Sequence, residues 1–199
     1  MKGGKIAYLH ASDARPAEMA DVALIAACGT GDKVALGELF RRFHRDVYRF
    51  LARFAGCDAR DLDDLVQNTF LNAQTSARRF AGRSSVKTWL FGIAANVAKH
   101  HFRGEARRGR AMHALADLPC PMSSEAPSGA AERREVLVRL RDGLSDLPHD
   151  LRVVFVMCAI EGIPGVEAAE ILGLRQGTVW RRLHEARKKL IDAVERRRS

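Results

Sequence analysis

Cysteine is scarce in this chain and is not spaced for metal chemistry. Cys28, Cys57, Cys120 and Cys158 lie 29, 63 and 38 residues apart, with no CxxC pair. None has a histidine at zinc-finger spacing. They read as small hydrophobes in a reducing compartment, and no metal or other cofactor is expected. Aromatic residues make up only 7%, so the core must be mainly aliphatic. The longest unbroken apolar run, Val153 to Ile160, is eight residues, well short of the roughly 20 that span a bilayer. The N-terminal stretch MKGGKIAYLHASDARP has no apolar segment of the secretory type. A cytoplasmic location without membrane insertion is therefore expected. Strand-type alternation is missing as well, which leaves helices joined by short turns.

What the chain does have is positive charge. Its 199 residues carry a formal net charge of +9 with a pI near 9.9, which points to a polyanionic partner. Residues 175–199 hold nine Lys/Arg against three acids, and residues 99–110 hold five against one. Each block lies near the end of an apolar-periodic segment, so two separate modules are expected to meet phosphate. A solvated tail explains Arg196–Arg198.

The length suits one medium domain or two small ones, and composition favours the second. Residues 1–20 form a polar lead, expected to be disordered. A helix is expected from about Asp21 to Cys28 and another from Lys33 to Phe54, where Leu36, Leu39, Phe40, Phe43, Val47, Phe50 and Leu51 recur at helical steps. Asp61 is placed as the N-cap of a third helix, with Leu62, Leu65, Val66, Phe70 and Ala73 as its apolar stripe. A fourth is expected from Val86 to Phe102, burying Trp89, Leu90, Ile93, Ala94, Val97 and His101. Pro119, Pro121 and Pro127 gather in a segment read as a flexible linker, 109–133. The expected architecture is all-α, with small helical domains at 21–108 and 134–195 joined by that linker.

Two segments carry chemistry. In 162–190 (GIPGVEAAEILGLRQGTVWRRLHEARKKL), a short helix, a turn at Gly173-Leu174 and a longer helix from Gln176 have helix-turn-helix spacing. Ala169 allows close helix approach, and Gly173 supplies the permissive turn residue. Val179, Leu183, Ala186 and Leu190 share an inward face. Arg175, Gln176, Thr178, Arg181, Arg182, Arg187 and Lys188 remain for DNA, with the helix N-terminus nearest the base edges. On the fourth helix, Gly92, Asn96, Lys99 and Arg103 fall on one face, with His100 beside it. By periodicity alone that face serves equally as a nucleic-acid surface or as an ordinary solvated one.

Three motifs in order resemble bacterial sigma factors of the extracytoplasmic-function (ECF) group. They are DLVQNTF (64–70), KTWLFGIAAN (87–96) and GTVWRRLHEARKKL (177–190). The resemblance covers about residues 21–108 and 134–193 and includes Leu147-Pro148. It implies a region 2-like four-helix domain that docks on core RNA polymerase and opens the minus-ten element. It also implies a region 4-like domain that reads the minus-35 element. Asp61, Asp64, Gln67 and Asn68 match the polymerase-docking surface. Arg78, Arg79, Arg83, Ser84, Ser85 and Lys87 match the loop that receives an extruded minus-ten base, and Asn96, Lys99, His100 and Arg103 the helix beside it. Trp180 and His184 join the minus-35 set. The implied partners are core polymerase, promoter DNA and an anti-sigma factor, with no small-molecule substrate.

Six departures from the family pattern stand out, two of them Pro164 and Gly165, which replace the usual serine and aromatic entry to the first helix of the helix-turn-helix. Asn68 replaces a common glutamate and His100 a common aspartate. In the recognition helix, Trp180 stands where a basic residue is usual, and Arg181 where serine is usual. An unusual promoter sequence follows from the recognition-helix pair. A stand-alone helix-turn-helix regulator is the competing class, but it leaves the Asp61 helix and the Arg78–Arg103 unit without a task. An enzyme is not expected: Ser84-Ser85 is the sole candidate nucleophile, and no base accompanies it.

Overall fold

Asp32 shows how local chemistry sets the helix boundaries. Its carboxylate accepts from the amides of Val34 (2.8 Å) and Ala35 (3.1 Å), closing the open end of the helix that follows. The computed structural model describes residues 16–53, 59–109 and 142–196. Its helices are α1 (Pro16–Gly29), α2 (Lys33–Ala52), α3 (Ala59–Ser76), α4 (Val86–Gly109), α5 (142–146), α6 (His149–Phe155), α7 (Gly165–Ile171) and α8 (Gln176–Arg196). A 3-10 turn (Ala77–Arg79) follows α3, and a π-helical turn (Val156–Ile160) continues α6. No strand occurs among the described residues.

Helices α1 to α4 enclose an aliphatic core in which Ile25, Leu39, Val47, Leu51, Leu62 and Leu90 are nearly inaccessible. Phe50 and Phe91 stack at its centre, with ring centroids 4.4 Å apart and 7° between planes. Each such side chain contributes about 2 kcal/mol by leaving water. In the second unit, Leu144, Leu147, Leu151, Ala186 and Leu190 pack together. The helix-turn-helix forms at the expected place. Gly173 has φ +63°, the amide of Leu174 donates to the Ala169 carbonyl (2.8 Å), and Ala169 is buried. Val179, Leu183, Ala186 and Leu190 all face inward.

Several boundaries differ from the sequence reading. Helix α1 begins at Pro16 rather than near Asp21, so 16–20 are helical and not part of a disordered lead. Proline is well suited to a first helical position, where no amide donor is required. Asp61 lies inside the first turn of α3, not at its cap. Helix α4 runs to Gly109 instead of stopping at Phe102, because Glu105, Ala106, Arg107 and Arg108 are good helix formers and Gly104 alone costs only about 1 kcal/mol. The expectations for Phe54, Cys57, Cys120 and the prolines of the linker lie outside the described residues.

The buried face of α4 is also turned by about one residue. Leu90 and Ala94 are buried as expected, but Val86, Phe91, Ala95 and Ala98 complete the buried set. Trp89, Ile93, Val97 and His101 are only half-buried. The cause is that α4 packs on two sides. Helices α2 and α3 cover one, and on another Gly92 meets α7 so closely that a Cβ there would lie 2.2 Å from Ile171 Cγ2. One hydrophobic cluster consequently runs through both units. The units are packed on each other, not merely tethered.

Candidate nucleic-acid and polymerase interface

On α3, Asp64, Gln67 and Asn68 point to solvent, and Leu71 beside them is 50% exposed. Asp61 turns away from them: it is half-buried, with a carboxylate oxygen 3.9 Å from His101 Nε2 of α4. An apolar groove of about 580 Å³ runs between α2 and α3, lined by Leu36, Phe40, Tyr48, Val66, Phe70 and Leu71. Phe40, read as part of the core stripe, is 42% exposed there; it stacks on His44 (5.1 Å) and meets Phe70 edge-on (4.9 Å). Periodicity groups apolar residues on a face but does not say whether the edge of that face is covered, so the groove was not legible.

The loop before α4 carries the next group. Arg79, Arg83 and Ser85 are exposed and Ser84 is half-buried. Arg78 is exposed but directed, its Nε donating to the Gly29 carbonyl at the end of α1 (2.7 Å). Ser85 caps α4: its hydroxyl accepts from the Thr88 amide (3.0 Å) and pairs with the Thr88 hydroxyl (2.9 Å). Lys87 reaches Asp46 (3.3 Å) and sits over the Phe91 ring (5.5 Å). Phe80 and Trp89 pack at 5.1 Å, which makes Trp89 part of the support under this loop. On α4, Asn96, His100 and Arg103 are exposed, whereas Gly92 is covered by Ile171.

Arg175, just before α8, and Gln176, Arg181, His184, Arg187 and Lys188 on it are exposed to solvent, with Thr178 half-buried. Trp180 is 52% exposed. Arg182 behaves differently. It is half-buried, and its Nη2 donates to Asp150 (3.0 Å), whose other oxygen is 3.4 Å from Lys99 Nζ. Burial pushes the Asp150 carboxyl up, but Arg182 and Lys99 outweigh it and hold the carboxyl below its ordinary range. One carboxylate of α6 therefore joins a cation of α4 to a cation of α8. Arg83 with Glu170 (3.0 Å) and Arg53 with Glu161 make further ion pairs between the units. Sequence spacing carries no signal for such long-range pairs.

Burial raises the thiols of Cys28 and Cys158, which suits inert packing groups. Among the described residues no cluster of His, Cys, Asp and Glu could hold a metal ion, and no helix is long and apolar enough to cross a membrane.

The α1–α4 unit with its basic loop, followed by a basic helix-turn-helix unit, defines a two-part nucleic-acid-binding protein of the transcription-factor kind. Comparison with known proteins gives the family. Residues 39–108 match Sigma-70 region 2, and residues 137–190 match Sigma-70 region 4. The ECF RNA polymerase sigma factor SigC of Mycobacterium tuberculosis is 33% identical over 174 residues, covering 87% of this chain and 90% of that protein. The ECF RNA polymerase sigma-E factor of Haemophilus influenzae is 29% identical over 185 residues, covering 89% and 97%. The structure of CnrH in complex with the cytosolic domain of CnrY superposes with a TM-score of 0.61 at 29% identity, covering 88% of this chain and 97% of CnrH. The sigma factor RpoE of Bartonella quintana, solved with the anti-sigma factor NepR, shares the fold with a TM-score of 0.63 at 21% identity, covering 80% and 96%. The chain belongs to the sigma-70 family and, within it, to the ECF group.

Proposed function

We propose that this chain is a promoter-specificity subunit: it binds core RNA polymerase and directs initiation at a two-part promoter. The observation that carries the reading is the match to region 2 and region 4, in family order, on the two basic units of one chain. Division of labour follows. The exposed face of α3 (Asp64, Gln67, Asn68) docks on polymerase, with half-buried Asp61 at its α4 edge. Arg78 to Lys87 and the outer face of α4 (Asn96, His100, Arg103), with Lys99 half-buried beside them on Asp150, receive the opened minus-ten strand, where cations track phosphate and an unpaired base needs a pocket. Helix α8 enters the major groove at minus-35, with Arg175, Gln176, Thr178, Trp180, Arg181 and His184 nearest the bases and Arg182, Arg187 and Lys188 nearer phosphate.

The subunit acts in the cytoplasm, by binding alone, and leaves during elongation. An anti-sigma protein is its regulator; the similar protein CnrH is seen in complex with the cytosolic domain of CnrY. The competing reading, a stand-alone regulator, gives α3 no partner.

In-vitro transcription on host genomic fragments, with purified core polymerase and with or without this protein, tests the proposal. Protein-dependent start sites are the expected result. A chain that neither alters initiation nor binds core polymerase would instead be the stand-alone regulator. Retained core binding without new starts would point to a promoter absent from the fragments.

A further inference from the structure

Trp180 is an anomaly on α8. It is a large aromatic side chain, half exposed, on a helix whose other outward residues are mostly polar or charged. Leaving that much apolar surface in water forfeits about 25 cal/mol for each Å², and α8 has its own buried face without it. The indole is nevertheless not loose. A Cβ on Gly165 would lie 3.0 Å from its Cζ2 and 3.2 Å from its Cε2, so the six-membered ring rests directly on the bare α-carbon that starts α7. Pro164 caps α7 from an extended conformation and fixes the approach of that backbone. Val166, the next residue, is 60% exposed and adds a second apolar group at the same helix start.

On the α8 side of this apolar spot the surface is cationic. Arg181 is adjacent, and Arg187 lies two turns on along the same flank of α8; both are exposed. Gln176 lies one turn before Trp180 on that flank and supplies an amide. A duplex offers one apolar group in its major groove, the C5-methyl of thymine. A basic side chain at position 180 would seek phosphate or guanine, whereas an indole held in place can do neither well.

We propose that Trp180, seated on Gly165, reads a thymine methyl group in the minus-35 duplex. This rests on the reading that α8 lies in the major groove, and it adds the chemistry of one base. Gly165 is then a positioning residue, because a Cβ there already crowds the ring at 3.0 Å and a branched side chain displaces the indole from its seat.

Holoenzyme reconstituted from core polymerase and the full chain is used to select duplexes from a promoter fragment with a randomised minus-35 segment. Each thymine of the selected duplex is then replaced singly by deoxyuridine, which deletes one methyl group. At one position the wild-type holoenzyme should lose about three- to tenfold in affinity. Trp180→Ala holoenzyme should bind more weakly but show no further loss at that position. Trp180→Phe should retain part of the sensitivity, and Gly165→Val should lose it with Trp180 still present. Circular dichroism and core binding identify any variant that fails to fold. A selected element without thymine overturns the proposal. So does a wild type indifferent to every deoxyuridine, or a Trp180→Ala protein with the full wild-type loss. A holoenzyme that selects no minus-35 sequence refutes the underlying placement of α8, a distinct result.

Discussion

His149 makes the junction of the two units sensitive to mild acid. It is the first residue of α6, and its ring sits 6.2 Å from that of Phe102 on α4. Burial, aided by the charges of Arg152 and Lys99, holds its pKa down at about 4, against the pull of Asp150 and a backbone hydrogen bond at Ala95. The folded pKa therefore lies below the unfolded value of about 6.5. Between those values the unfolded chain binds the extra proton, so stability must fall as the pH drops through this window. The full linkage is worth about 2 kcal/mol between about pH 7 and about pH 5. Because the ring is only part-buried, solvent screening reduces the expected loss to about 1 kcal/mol. Asp150 is held below the ordinary carboxylate range and titrates beneath this window. Urea unfolding followed by circular dichroism at the two pH values, for the wild type and for His149→Gln, isolates the effect, since the remaining histidines are common to both. The wild type should lose about 1 kcal/mol more than the variant. Equal losses in the two proteins would refute the argument.

Two further substitutions test the packing. Gly92→Ala places a Cβ 2.2 Å from Ile171 Cγ2, so α4 should gain about 1 kcal/mol of intrinsic helix preference while its contact with α7 opens. Small-angle scattering should give a larger radius of gyration, which Gly92→Ala combined with Ile171→Ala should reverse; an unchanged radius would show that Ile171 absorbs the added methyl locally and that the units do not part. Arg152 is 8% exposed and donates to the carbonyls of Leu147 (2.9 Å) and Ser145. Arg152→Leu strands both acceptors and should cost about 2–3 kcal/mol, and an unfolding midpoint equal to wild type would show that these carbonyls are satisfied otherwise.

The helix-turn-helix was legible because one periodic stripe serves one partner: Val179, Leu183, Ala186 and Leu190 all pack inward, and the permissive turn residue Gly173 has positive φ. The face of α4 was harder, since a helix with partners on two sides has no single stripe and its small residues mark where a neighbour approaches, as Gly92 does under Ile171. Cations were harder still. Arg78, Lys87, Lys99 and Arg182 look alike in sequence, yet each has a specific acceptor in the fold, supplied by Gly29, Asp46, Asp150 and Asp150 in turn. Those acceptors lie far away along the chain, where no spacing rule reaches.

This difference among cations changes what salt titration should reveal. A surface arginine that neutralises a phosphate contributes about 0.9 to the slope of log affinity against log salt, by releasing a condensed counterion. Arg187 is exposed, and Arg187→Ala should lower the slope by about that amount. Arg182 begins on Asp150 at 3.0 Å. To meet a phosphate it must leave one anion for another, and the freed carboxylate gathers cations that partly offset those released from DNA. Arg182→Ala should accordingly reduce both affinity and slope less than Arg187→Ala does. Asp150→Asn should make the two substitutions equivalent, because Arg182 then starts as unneutralised as Arg187. If Arg182→Ala and Arg187→Ala already produce identical slopes with Asp150 in place, the Asp150 pair is broken before DNA arrives and has no part in promoter binding.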